Sequence, residues 1–283
     1  QPVPAEYRSN FFHLYFDIAW YGVLAASAMA FVSVYATRQG ANAFQIGLLG
    51  AGPAAMNLLF TLPVGQWLEG QKLSSAVFWT AVLHRLFYLL WVPLPMWLAP
   101  QAQVWALIGS TLLMSIPGTA LAVGFNALFA EAVPPPWRGH VAGIRNALLA
   151  VSYIITSLLC GQILVRLPFP NGYQVVFGIG FVGAAMSCFH LRFVTSCSRT
   201  TAQHRTGPGL GDLATPGWNR LLADGLRPGA ALRFLIRRQA LSLLRARDLP
   251  RSFVKLMVVL FSFHLAINMA IPLFPLHWVR QLH

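Results

Sequence analysis

Charged residues are scarce in this chain: Asp, Glu, Lys and Arg make up 10% of its 283 residues, and only seven of them are acids. A soluble domain carries about a quarter charged residues. With hydrophobic residues at 57% and a mean hydropathy of +0.60, water is excluded as the main solvent. Cysteine is sparse too. Cys160 and Cys188 fall inside apolar runs and Cys197 at the end of one, an odd count without metal-type spacing, so neither a disulfide nor a metal site is expected. The acids are scattered, with no His, Asp or Glu cluster on one membrane face. That counts against an integral membrane enzyme such as a lipid-modifying transferase, and no catalytic residue or cofactor is expected.

What the sequence does have is length of apolar run. About 20 mostly apolar residues, rising about 1.5 Å each, cross the hydrocarbon core of a bilayer. Seven stretches qualify: Phe11 to Thr37, Phe44 to Leu68, Ser75 to Trp97, Val104 to Phe129, Val141 to Val165, Gln174 to Val194 and Phe253 to Val279. The first exceeds a signal-peptide core and is followed closely by five more, so it counts as a span. The fold class is therefore all-α, a polytopic transmembrane helical bundle with the lipid bilayer as its partner. Trp91, Trp97 and Trp105 gather at one predicted surface, where an aromatic belt is expected.

The net charge of +13 would suggest nucleic acid in a soluble protein, but its location argues otherwise. Half of the 20 Lys and Arg residues lie between Ser196 and Arg251, separating spans six and seven. By the positive-inside rule this linker is cytoplasmic, which puts the N-terminus inside a plasma or inner membrane and makes nucleic acid an unexpected partner. Within it, residues 230–247 place Leu232, Leu235, Ile236 and Leu243 at helical spacing among Arg233, Arg237, Arg238 and Arg245. This is a basic amphipathic helix, either on the inner leaflet or packed against the bundle.

Six closely spaced spans, a long polar connection and a new span are the layout of a transporter built from two six-helix halves. Aligning Phe11 with Phe253 also pairs Leu14 with Leu256, Ala28 with Ala270, Arg38 with Arg280 and Gln39 with Gln281. The expected domains are a bundle over 1–195, the linker over 196–251 and the first helix of a second bundle over 252–283. The chain begins without methionine and stops just beyond a span, so it is read as a fragment whose partner is the rest of its own C-terminal half. Alone, it is not expected to transport.

Local motifs carry a family resemblance. Span two ends Leu62-Pro63-Val64-Gly65-Gln66-Trp67-Leu68-Glu69, a Gly followed four residues later by an acid. Between spans four and five, Asn126-Ala127-Leu128-Phe129-Ala130-Glu131-Ala132-Val133-Pro134 leads to Arg138-Gly139-His140-Val141-Ala142-Gly143. Together these resemble the major facilitator superfamily over nearly the whole chain. The first motif resembles the family's loop between helices two and three, with Gly70 where a basic residue is usual and Lys72 remaining. The resemblance implies that Gly65 lets two helices approach and that Glu69 latches a cytoplasmic seam. Pro134 to Pro136 are expected to stop the outgoing helix, Gly139 to permit a tight turn, and Arg138 to reach carbonyls or Glu131 and Glu69.

Ionisable groups inside spans cost about 2.5 to 3.5 kcal/mol each near the bilayer centre, so each is a functional candidate. Arg85, beside His84, sits about 15 Å into span three, too deep for easy snorkelling, and is expected to meet an acid or an anionic substrate group. Asp17 lies about 9 Å into span one. A carboxylate held out of water can load and release a proton, as proton coupling requires, or it can simply neutralise Arg85 or Arg145. Arg145, about 6 Å into span five, is within snorkelling reach of the cytoplasm. Asn57 could line a cavity or join helices, and Pro53, Pro117 and Pro272 mark flexible or discontinuous helices.

The function these features imply is alternating-access transport of a small-molecule substrate, driven by an ion or proton gradient, with efflux one direction it allows. Asp17, His84, Arg85, Asn57 and Arg145 are the expected substrate and ion path. Gly65, Glu69, Lys72, Glu131, Arg138 and Gly139 are the expected cytoplasmic gate. A transport-inactive scaffold or sensor on the same fold is the alternative.

Overall fold

The computed structural model describes residues 5–196 and 251–270, and every regular element among them is helical. Span one is α1 (Ala5–Leu24), a π-helical turn (Ala25–Met29) and α2 (Ala30–Arg38). Then follow α3 (Ala43–Glu69), α4 (Leu73–Trp91), a short α5 (Leu94–Trp97), α6 (Pro100–Ala132), α7 (Arg138–Arg166) and α8 (Asn171–Leu191). The last is α9 (Arg251–Ala270). Among the described residues, six segments are long and apolar enough to cross a membrane, matching the first six expected spans. Linker residues 197–250, with the helix expected at 230–247, and span-seven residues from 271 onward lie outside the described residues.

Helix ends follow local chemistry. Asn42 caps α3 by accepting from the Gln45 backbone N–H at 2.9 Å, while the Gln45 side chain accepts from the Asn42 N–H at 2.9 Å, a reciprocal capping box. Gly40, at φ +87°, makes the left-handed turn that brings the chain to that cap. At the end of α6, Pro134 and a 3-10 turn over Pro135–Trp137 stop the helix as expected.

Four expectations are corrected. Span three ends at Trp91 and not Trp97, since Val92-Pro93 interrupts it and Leu94–Trp97 forms a separate turn. α3 and α6 run unbroken through Pro53 and Pro117; the irregular helix is span one, whose π turn contains no proline. Gly139 is an ordinary helical residue at the start of α7, the turn before it being made by Pro134 to Trp137. Trp91 is no interfacial anchor: it is buried, packs against Tyr88 and Phe177, and donates its indole N–H to Ser110 Oγ at 2.9 Å.

The helices run alternately between two ends. The starts of α1, α4 and α7 and the ends of α3, α6 and α8 share one end, called here the linker end because the chain leaves it after Leu191. α1 packs on α7 and α8, α3 on α6, and α4 on α6 and α8. Leu58, Trp79, Leu90, Ile154, Leu158 and Val165 stay exposed around the outside, a surface suited to lipid and not to water. Small residues allow the close crossings. A Cβ at Gly183 of α8 would lie 2.9 Å from the Trp20 carbonyl oxygen and 3.0 Å from the Leu24 nitrogen, and one at Gly180 2.6 Å from Ala28 Cβ in the π turn.

Because backbone atoms of α1 cannot retreat as a side-chain tip can, Gly183→Val is expected to destabilise the bundle by about 1–3 kcal/mol. Gly65→Val is expected to have little effect, since a Cβ added at Gly65 would meet no heavy atom within 4 Å. Unfolding in mixed detergent micelles measures both.

Candidate functional site

The site is built on the face of α1 that packs into the bundle. Asp17 and Tyr21, one turn apart, share it. Asp17 is buried, at 4% exposure. Three other helices reach it. From α8, the Ser187 hydroxyl donates a hydrogen bond to Asp17 Oδ1. From α4, Arg85 Nη2 stands 3.7 Å from Oδ1, and from α7, Arg145 Nη2 stands 3.6 Å from Oδ2. Both ion pairs converge on this one carboxylate. Both exceed the 2.7–2.9 Å of a charge-assisted hydrogen bond, so the two guanidiniums are held by charge and not by directed bonds.

Each arginine has a further support. Arg85 Nη1 donates to Cys188 Sγ at 3.2 Å. The Arg145 guanidinium lies 4.4 Å from the centroid of the Phe125 ring on α6 and 5.5 Å from that of Phe129. Arg145 therefore turns inward and does not snorkel: a buried carboxylate and an aromatic face attract it more than the surface its stem could reach.

Asp17, Asn57, His84, Arg85 and Arg145, the expected path residues, all line one cavity of about 500 Å³. Asn57 is fixed by the Thr119 hydroxyl, which donates to its Oδ1 and so joins α3 to α6. His84 Nδ1 donates to the Met114 carbonyl at 2.9 Å, an approach that Gly118 permits, since a Cβ there would lie 2.9 Å from the same nitrogen. Tyr21, Tyr88, Trp91, Met114 and Phe125 give the cavity a largely apolar wall.

The expected gate residues are less closely joined. Arg138 donates to the carbonyls of Ala130 and, at 3.2 Å, Val133, tying the last turn of α6 to the first of α7. Of the options open to it, carbonyls are taken, and neither Glu131 nor Glu69 pairs with it among the described residues. Glu69 and Lys72 are exposed at the α3–α4 connection. Gly65 and Gly139 mediate no close packing, as a Cβ on either would meet nothing within 4 Å.

Sequence reasoning missed several partners. Ser187 and Cys188 are a small polar pair in a mostly apolar helix, and that pairing was the available signal. Asn10 clasps the linker end: its Nδ2 donates to the carbonyls of Ala132 at 3.3 Å and Thr195 at 2.8 Å, and its Oδ1 accepts from the Thr195 N–H at 3.1 Å. One turn from Asp17, His13 and His190 bring their Nδ1 atoms to 3.1 Å among stacked phenylalanines. Ser187→Ala is expected to lower stability by about 1–3 kcal/mol by leaving a buried carboxylate oxygen short of a donor, whereas Ser187→Thr keeps the hydroxyl and most of the stability. Unfolding midpoints of the two variants compare them.

Neither the curated proteins nor the solved structures yield a match to this chain. The family comparison does: the model described as the Major Facilitator Superfamily matches residues 15–283, taking in all of the cavity and both motifs that suggested the likeness. With six apolar helices and that match, the chain is a multi-pass membrane protein belonging to the major facilitator superfamily, a family of membrane transporters.

Proposed function

We propose that the protein is a secondary active transporter that moves a small solute by alternating access, with Asp17 as its proton-loading group. The observation that carries the reading is one carboxylate shared by guanidiniums from two other helices, beside a cavity of about 500 Å³ in the spanning region. A static ion pair needs only one partner. Here the acid faces two cations, from α4 and α7, without a hydrogen bond to either. Ionised, Asp17 draws the two helices towards α1; protonated, it releases both. That is a charge pair whose strength differs between two states, the condition for a bound ion to shift a conformational equilibrium.

The remaining parts fit this cycle. The π turn of span one carries Met29 to the cavity wall, and such turns offer a place for a helix to re-register. Glu69, Lys72, Glu131 and Arg138 form the gate at the linker end, which the basic linker assigns to the cytoplasm together with the N-terminus. In the arrangement described here Arg138 holds carbonyls, leaving Glu69 and Glu131 as its alternative partners in the other orientation. The chain sits in the cell membrane with the rest of its transporter fold as partner.

The test is solute-dependent proton movement. With the full-length protein reconstituted in vesicles loaded with a pH-sensitive dye, a solute it carries is expected to produce a lumenal pH change that Asp17→Asn reduces at least tenfold. Solute uptake that proceeds at full rate in Asp17→Asn contradicts proton loading at this residue. A folded full-length protein that moves no member of a broad solute library favours the inactive scaffold instead.

A further inference from the structure

Several buried polar groups around the cavity lack a hydrogen-bond partner. Among the described residues, the buried side-chain polar atoms without a hydrogen-bond partner include Arg85 Nε, Arg145 Nε, Tyr88 Oη and Thr111 Oγ1. All four of these residues line the same cavity, although they come from α4, α6 and α7. Arg85 is 5% exposed and Tyr88 fully buried, so water at the protein surface does not satisfy them. Buried polar groups are ordinarily paired, and a donor left unpaired in a low-dielectric site is destabilising. Four at one cavity point to a ligand that supplies acceptors.

The charges agree with the donors. The lining holds two guanidiniums and one carboxylate, which leaves one positive charge when Asp17 is ionised. Protonation of His84 would add to that charge and not cancel it. A buried charge without a counter-charge is strongly unfavourable, and the 3.6 and 3.7 Å separations show that Asp17 bonds fully with neither arginine. The rest of the wall is apolar, with Tyr21, Trp91, Met114 and Phe125 among its members, and about 500 Å³ is in the range of sites for drug-sized molecules.

We infer that the solute is an amphipathic organic monoanion, its carboxylate or equivalent anionic head gripped between Arg85 and Arg145 and its apolar body lying against the aromatic wall. The head accepts from guanidinium N–H groups that the ion pairs leave unused, and the buried Nε–H donors and the Tyr88 and Thr111 hydroxyls come within its reach as these side chains turn towards it. A cation would face two guanidiniums at close range, and a neutral amide would leave the positive charge uncompensated. Arg145 rests on Phe125 and, unlike Arg85, makes no hydrogen bond among the described residues, so it is the arginine freer to turn from Asp17 to the ligand. The inference rests on the transport reading for the word solute, but the binding it describes does not require transport.

Binding is read as the melting temperature of the detergent-purified protein at constant ionic strength. The probes are benzoate, 4-phenylbutyrate and 2-naphthoate, each beside its amide, with benzylamine and the dianion phthalate as charge controls. The carboxylates are expected to raise the melting temperature saturably, the amides and benzylamine to leave it unchanged, and phthalate to need a higher concentration than benzoate. Arg145→Gln is expected to raise the half-saturating concentration at least tenfold, with Arg145→Lys between it and the parent, and circular dichroism checks that both keep their helices. Equal stabilisation by amides or amines, tighter binding of phthalate, or carboxylate binding indifferent to Arg145 overturns the inference. The wild-type series decides even if both variants misfold. A carboxylate that binds in this way yet never crosses a vesicle membrane leaves the inference standing and removes the transport reading. A neutral or cationic solute that crosses does the reverse.

Discussion

One carboxylate holds the centre of this bundle. Asp17 is buried inside the bundle, at the edge of the cavity, and four helices contribute to its surroundings: its own α1, Ser187 of α8, Arg85 of α4 and Arg145 of α7. In such a medium a charge is tolerated only with partners, so the positions of α4, α7 and α8 relative to α1 are constrained by it. Apolar packing alone would not choose among rotations of these helices, because lipid tails are as apolar as leucine. The polar junction does choose, since turning any one helix would leave a guanidinium or a carboxylate in hydrocarbon.

The close crossings serve that junction. Gly183 lies one turn before Ser187 on α8, and its lack of a side chain lets α8 approach the Trp20–Leu24 backbone closely enough for the hydroxyl to reach Asp17. Gly118 on α6 similarly admits His84, which then ties α4 to α6 through the Met114 carbonyl. Away from this interior the helices present bulky apolar side chains outward, and the linker end is closed by Asn10 and Arg138 bonding to backbone carbonyls.

The first six spans and the stop at Pro134 were legible in the sequence, because apolar run length and proline chemistry are local properties. So was the pairing of Asp17 with Arg85, because an Arg or Asp deep in a span has few acceptable neighbours. Arg145 was legible as a possible partner of Asp17 but not as a fixed one, because its depth also permits snorkelling and the placement of Phe125 and Asp17 is what turns it inward. Trp91 misled for a related reason, as its position along the span suggests an interface while its facing, towards Phe177 and Ser110, depends on how α4 is rotated. Gly65 and Gly139 belong to motifs whose glycines need not touch a neighbour in this arrangement. The π turn leaves no clear sequence mark, since no proline announces it.

The central claim is that Asp17 and Arg145 are energetically one unit. A double-mutant cycle with Asp17→Asn, Arg145→Gln and the pair, read as unfolding free energy in mixed micelles, tests it most directly. The double variant is expected to be less damaged than the sum of the singles, with a coupling of about 1–3 kcal/mol. Additive effects, within about 0.5 kcal/mol, would show that the two charges do not depend on one another and would contradict it.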